Sequence, residues 1–277
     1  SRQFFRPVFA WPGCHAKESM LVGRSSSRHP ACGRQELLAQ KVREIDGMLR
    51  KLGEEPGAQA PTDGTQTPSD ARGDTRTAVR VVIGNSRMAA AQHGLVQHLV
   101  AMINGAYGYQ RIYEDDVMER LEMGDPGSVR ANRVLHIAFS GDRPVGCMSS
   151  TFKVPWAEDG CGHWGLLVVD TSAQGQGVAS AMVAAAEQRL AGACNQIQIE
   201  YEFTPGDTFS ERLMAWYEGK CGFRCVTGRP RGSGTEFRKC RKLIPEEAQR
   251  RGRIAHLEAI RADFANELAA MVSSAAT

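Results

Sequence analysis

The sequence predicts a mixed α/β domain built on a mostly antiparallel central sheet flanked by helices, with a disordered N-terminal tail and accessory helices near both ends. Three observations predict it. Arg, Ser, Gly, Pro and Thr crowd before Val79 and the apolar runs follow it in a chain of 277 residues, so one folded domain with appendages is expected. After an opening strand, two helical patterns precede three strand-like runs joined by hairpin-type turns, which is not the alternation of a Rossmann sheet. A glycine-rich loop at 174–179 then leads from a strand into a helix, a junction suited to holding an anion.

Composition excludes several classes. At 42% hydrophobic and 23% charged residues the chain resembles an ordinary soluble protein that buries a sizeable core. Its 34 Lys and Arg against 31 Asp and Glu leave a net charge of +3, far from the basic excess that nucleic-acid binding calls for. No apolar run approaches the ~20 residues of a membrane-spanning helix. The 8 cysteines are scattered, which fits reduced thiols in an intracellular compartment, cytoplasmic or organellar, better than a disulfide framework.

The segment 1–77 reads as appendage. Arg2, Arg6, Lys17, Arg24, Arg28 and Arg34 face a single acid, Glu18, and a run of serines. That is the composition of an organellar transit peptide, and equally of a disordered basic tail, because Pro7, Pro12, Gly13 and Pro30 interrupt any helix. Cys14, His15, His29 and Cys32 are zinc-ligand types, but their spacing matches no usual finger and no metal is expected. Leu38, Val42, Ile45, Leu49 and Leu52 recur at helical spacing and predict an amphipathic helix over 35–52. The Pro- and Gly-rich stretch 53–77 is a flexible linker.

The body, 78–242, takes the remaining elements in turn. The β-branched run 79–83 is a strand ended by Gly84-Asn85. One helix is expected over 88–104, with Leu95, Leu99 and Ile103 on its apolar face, and a shorter one over 114–123. After a turn at 125–128, strands follow at 133–139, 145–153 and 163–169. A helix from Val178 to about 191 and a strand at 195–203 come next. The basic runs 238–242 and 250–253 read as solvated faces, or as contacts for a phosphate if they sit near a cleft. Beyond Pro245, Ile254, Leu257, Ile260, Phe264, Leu268 and Met271 mark a helix over 246–272. It can pack on the body, on the 35–52 helix, or across a homodimer.

The strand His163-Trp164-Gly165-Leu166-Leu167-Val168-Val169 runs through Asp170 into Gln174-Gly175-Gln176-Gly177-Val178-Ala179. The first turn of a helix has amide N–H groups without intrahelical acceptors near the positive end of its dipole. A diphosphate is the usual guest of such a loop, yet neither a Gly-Lys-Ser/Thr motif nor a full dinucleotide fingerprint is present. Gln174-x-x-Gly177-x-Ala179 after Leu167-Val168-Val169-Asp170 resembles the acetyl-CoA signature of the GNAT superfamily of acyl-CoA N-acyltransferases. Ala185-Ala186-Glu187 and the strand 195–203 fall where that family has them. The run 215–223, with Tyr217 and Gly222-Phe223, resembles the family's late motif, usually Tyr-x-x-x-Gly-Phe. Met102 to Tyr107 resembles the end of its first helix.

The resemblance implies the GNAT fold and transfer of an acetyl group from acetyl-CoA to a primary amine, by direct attack and without a covalent enzyme intermediate. Leu167, Val168 and Val169 would pair with the pantetheine arm. Gln174, Gly175, Gln176, Gly177, Val178 and Ala179 would hold the pyrophosphate, with Gly175 and Gly177 giving it access. Tyr217 matches the tyrosine placed to protonate the leaving thiolate; otherwise it is a core aromatic whose hydroxyl bonds to backbone. The base is less determined, because many members carry Glu where this chain has His163. Glu200 and Glu202 share a face of the next strand, and Glu200 ranks slightly above His163. Cys147, Cys194, Cys221 and Cys225 read as small hydrophobes rather than nucleophiles.

Two other classes compete. A GNAT-like module that binds CoA or a peptide without turnover would keep the same fold. A nucleic-acid-associated organellar protein would lean on the basic tail, against the near-neutral total charge. The loops 107–114 and 203–209 are the expected acceptor side, for an amine on a small molecule or a protein.

Overall fold

The computed structural model describes residues 30–54, 79–125, 131–232 and 234–275. The basic segment before Pro30 with Cys14, His15 and His29, the linker residues 55–77 and residues 126–130 lie outside the described residues.

The elements follow in the order α1 (Pro30–Glu54), β1 (Val79–Ile83), α2 (Ser86–Ala91), α3 (Leu95–Tyr107), α4 (Glu114–Glu122), β2 (Arg133–Ser140), β3 (Arg143–Thr151) and β4 (Cys161–Val169). Then come α5 (Val178–Leu190), β5 (Gln196–Phe203), α6 (Thr208–Met214), a π turn over Ala215–Lys220, β6 (Arg224–Arg231), β7 (Thr235–Leu243) and α7 (Glu246–Ala275). The single helix expected over 88–104 is two. Gly94 takes φ 79° and starts α3 afresh, while α2 is held at its own start by the Asn85 side chain, which accepts from the Met88 amide at 3.0 Å. A left-handed residue cannot sit inside an α-helix, so the chain turns there.

The sheet runs β1-β2-β3-β4-β5-β7-β6. All neighbours are antiparallel except β4 and β5. Alternation along β2 sends Leu135, Ile137 and Phe139 to a core under α3 and α4, and Ala138 to a second core under α5 with Met182, Ala186 and Leu190. Strands β6 and β7 were not foreseen. The basic run 238–242 belongs to an interior strand, and the cations that made it look solvated are paired: Arg238 with Glu218, Arg241 with Glu158 and Lys242 with Glu187.

The terminal helices pack on one another. Leu38, Ile45 and Phe264 are buried between them, with Val42, Leu49, Leu257, Ile260, Leu268 and Met271 alongside. They run antiparallel, since Arg34 meets Glu267 at one end and Arg250 donates to the Leu52 carbonyl at 2.9 Å at the other. This pair rests on the body where Gly252 crosses the end of α5. A Cβ on Gly252 would lie 2.6 Å from the Ala191 carbonyl carbon, so only glycine permits that approach.

Candidate active site

Strands β4 and β5 lie parallel for three rungs, Cys161 to Gln196, Gly162 to Ile197 and His163 to Gln198, and then part. From Trp164 onward β4 keeps its antiparallel partner β3, with Val168 opposite Cys147 and Val169 opposite Gly146. Among the described residues no strand pairs with its other edge. Between Ser149 and Cys147 on β3 the facing strand has Gly165 and Val168, one residue too many, which makes a β-bulge. Leu166 absorbs it at φ 52°. The bulge resets the alternation, so Leu166 and Val168 both face α3 while Trp164, Leu167 and Val169 face α5.

At the end of β4, Asp170 caps a short 3-10 turn, Thr171–Ala173, accepting from the Ser172 amide at 2.8 Å, and pairs with Arg143. Hydrogen bonds from Ser172, side chain and backbone, outweigh its slight desolvation and with Arg143 hold its carboxyl down to about 2. The loop behind it is thereby fixed. Gly175 and Gly177 sit at φ 77° and 83°, with no protein atom within 4 Å of where a Cβ would be. A groove of about 280 Å³ opens there, lined by Val169, Gln174, Gly177 and Ser180 among others, and by Trp216 and Lys220 from the π turn. Among the described residues, the amides of 175–180 donate to no protein acceptor, the helix ladder starting only with Ala181 to Gly177. Unbonded amides, a helix N-terminus and the Lys220 ammonium, which has no ion pair among the described residues, together fit a diphosphate. The Gln174 amide is partly engaged, donating to the Val169 carbonyl at 3.4 Å.

The remaining site residues collect where the strands part. His163 and Trp164 are neighbours on β4, and Glu200 and Tyr201 neighbours on β5, so each pair divides between the two faces of the sheet. On one face His163 Nε2 lies 3.2 Å from Glu200 Oε2, and both side chains are largely buried. Burial pushes the Glu200 carboxyl up, but hydrogen bonds from His163, Gln198 and Trp156 and the imidazole charge outweigh it and hold the group below the ordinary carboxylate range. The Trp156 ring stands edge-on to His163 at 5.8 Å. On the other face Tyr217 lays its ring against Trp164 at 5.7 Å and Tyr201 at 5.1 Å, spanning the parted strands. Burial raises the Tyr217 hydroxyl well above its usual value, so it carries its proton at neutral pH. It makes no hydrogen bond among the described residues, unlike the Tyr201 hydroxyl, which donates to Glu218.

Glu202 is elsewhere. It shares the face of Glu200, as alternation requires, but pairs with Arg231 at 3.6 Å. Burial pushes the thiols of Cys147 and Cys240 up to about 12 and those of Cys194 and Cys221 up to about 11, which removes them as nucleophiles at neutral pH. Sequence reasoning missed Gln198, Lys220, Trp216 and Trp156. Gln198 was legible, two residues before Glu200 on the same face. Lys220 and Trp216 are four apart on one helical side. Trp156 lies in an irregular segment and left no pattern.

Residues 96–223 match the sequence model of the acetyltransferase (GNAT) family. This domain is a GNAT domain. The sheet that carries it reaches beyond the matched stretch, from Val79 to Leu243, and membership makes acyl transfer the class of reaction. No curated protein matches the chain in sequence. Among solved structures, the GNAT domain is similar to a GNAT-family acetyltransferase from Streptococcus pneumoniae, at 16% identity over 61% of this chain and 100% of that one, TM-score 0.46. It is also similar to the aminoglycoside 6'-N-acetyltransferase from Enterococcus faecium, at 16% identity over 60% and 98%, TM-score 0.43. An aminoglycoside 6'-N-acetyltransferase complexed with coenzyme A compares at 15% identity over 60% and 98%, TM-score 0.45.

Proposed function

We propose that this protein transfers the acetyl group of acetyl-CoA to a primary amine by direct attack, without a covalent enzyme intermediate. The carrying observation is the parting of β4 and β5 after His163 and Gln198, with the amide-lined groove at the far end of β4 and titratable groups on both faces of the opening. The free edge of Leu167 to Val169 suits an extended amide-bearing arm, and the loop 174–179 suits the pyrophosphate. Acetyl-CoA supplies the activated thioester; the chain supplies orientation and two proton transfers.

An ammonium must lose a proton before it attacks. The His163–Glu200 pair accepts it on one face, and Glu200 disperses the positive charge that results. The departing thiolate needs a proton, and Tyr217, protonated and without a hydrogen-bond partner among the described residues, stands on the opposite face to give it. Glu202, tied to Arg231, is outside this scheme. The same fold without turnover, a CoA- or peptide-binding module, is the competing reading, and the paired base and unpartnered hydroxyl favour catalysis over it.

The test is thiol release from acetyl-CoA in the presence of panels of amines and of peptides with free amino groups. Release above the hydrolysis blank with at least one acceptor is expected. CoA binding with no acceptor-dependent release would leave the non-catalytic module standing.

A further inference from the structure

Resting on the acyltransfer reading, we infer that His163 Nδ1 is the atom that takes the proton of the acceptor ammonium, with Glu200, Gln198 and Arg241 as positioning residues that fix its tautomer. The inference comes from the order of donors and acceptors along one chain of side chains. Arg241 donates through Nη1 and Nη2 to the two oxygens of Glu158, both at 2.7 Å, and through Nε to Gln198 Oε1 at 3.0 Å. A guanidinium can only donate. Gln198 must therefore present its oxygen to Arg241 and its amide N–H to the other side, where it donates to Glu200 Oε1. Gln198 is fully buried, so water offers it no alternative.

Oε1 of Glu200 accepts from Gln198, and against its burial the hydrogen bonds from His163, Gln198 and Trp156 hold the carboxyl below its ordinary range. Glu200 is thus a carboxylate at neutral and alkaline pH, and its second oxygen, Oε2, faces His163 Nε2 at 3.2 Å. Between an ionised carboxylate and a neutral imidazole, the hydrogen must lie on the ring nitrogen. Nε2 carries it, and the lone pair is left on Nδ1. The ring leans along β4 toward the parted half: a Cβ on Gly165 would come within 3.1 Å of its Cε1, and the absence of a side chain there leaves the imidazole its place.

The step balances simply. The Nδ1 lone pair takes one N–H proton of the ammonium, the amine nitrogen keeps the electron pair with which it attacks the thioester carbonyl, and the imidazolium formed is neutralised by Glu200. Glu200, ranked first as base from the sequence, thereby becomes the residue that orients the base. Because Arg241 and Gln198 act through others, their loss changes the chemistry without touching cofactor affinity.

Nitrogen NMR of the isotope-labelled whole protein at alkaline pH reads the tautomer directly, with the His163 signals assigned by their loss in His163→Gln. The Nε2–H form is expected; the Nδ1–H form overturns the inference, whatever the activity. In parallel, His163→Gln is expected to lower kcat by about a hundredfold, and Gln198→Met by about tenfold or more, with KM for acetyl-CoA unchanged in both. Gln198→Met with wild-type kcat and tautomer removes the positioning role. Wild-type protein that releases no thiol with any acceptor fails the acyltransfer reading itself, and the inference with it; active protein in the Nδ1–H form fails the inference alone.

Discussion

The rings of Tyr201 and Tyr217 lie 5.1 Å apart and tilted by 49°, yet their hydroxyls have opposite fates. Tyr201 donates to Glu218, which also takes two hydrogen bonds from Arg238 at 3.0 and 3.1 Å. Tyr217 has no such partner. Conversion of each to Phe separates structure from chemistry. Tyr201→Phe is expected to cost about 1.5 kcal/mol of stability, the usual size for a hydrogen bond to a charged group, read by denaturant unfolding. Tyr217→Phe is expected to leave stability and CoA affinity unchanged and to lower kcat by about a hundredfold. An unaffected rate reassigns Tyr217 to packing.

The groove at 174–180 makes a second, sharper expectation. Gly177→Glu puts bulk and negative charge into open space beside unbonded amides and imposes φ 83° on a residue with a Cβ. Calorimetric titration is expected to show no CoA binding. Gly177→Asn, which tolerates a left-handed backbone, separates backbone strain from charge and is expected to retain measurable affinity. Lys220→Ala is expected to weaken CoA about five- to tenfold, as loss of one partly exposed charge contact does.

Glu200 predicts a pH dependence of stability. Its carboxyl is lowered from 4.5 in the folded chain, so the unfolded chain takes up the proton first as pH falls. The stabilisation it gives is therefore complete above about pH 5 and is lost as pH drops through the folded value. Thermal melts of wild type and Glu200→Gln are expected to differ most near about pH 6 and to converge toward about pH 3. A gap that widens on acidification contradicts the sign.

The docking of the terminal helices is open to a further test. Gly252→Val drives a side chain into the Ala191 backbone, 2.6 Å from its first carbon, and cannot be relieved by a rotamer change. Hydrogen exchange is expected to accelerate through α1 and α7 while β2 and β3 stay protected. Phe264→Ala, which empties the space between the two helices, is expected to do the same without touching the body.

Much of this was legible in the chain. Alternation placed Glu200 and Glu202 on one face correctly, because a strand's period is two whatever its neighbours do. It could not tell that Glu202 would meet Arg231 and Glu200 would meet His163, since cross-strand partners depend on register. The basic run 238–242 misled because charge pattern reports what a residue costs to bury alone; Glu158, Glu187 and Glu218, distant in sequence, make burial tolerable. One signal was overlooked. Four residues separate Tyr217 from Gly222, where the resembled motif has three, and the π turn, with the Cys221 amide bonded to the Trp216 carbonyl at 2.8 Å, takes up the extra one. Gly94 was also readable as a break and was passed over inside a long apolar period.

Three rungs join the two parts of a seven-stranded sheet. Beyond them the inner edges of β4 and β5 are seams in what would otherwise be a continuous ladder, and their peptide groups lie in the middle of the fold rather than at its rim. A guest that bonds to such a seam does more than bind: it finishes the sheet. Occupancy and folding stability are then linked, resistance to unfolding rising with the logarithm of ligand concentration once that concentration exceeds Kd.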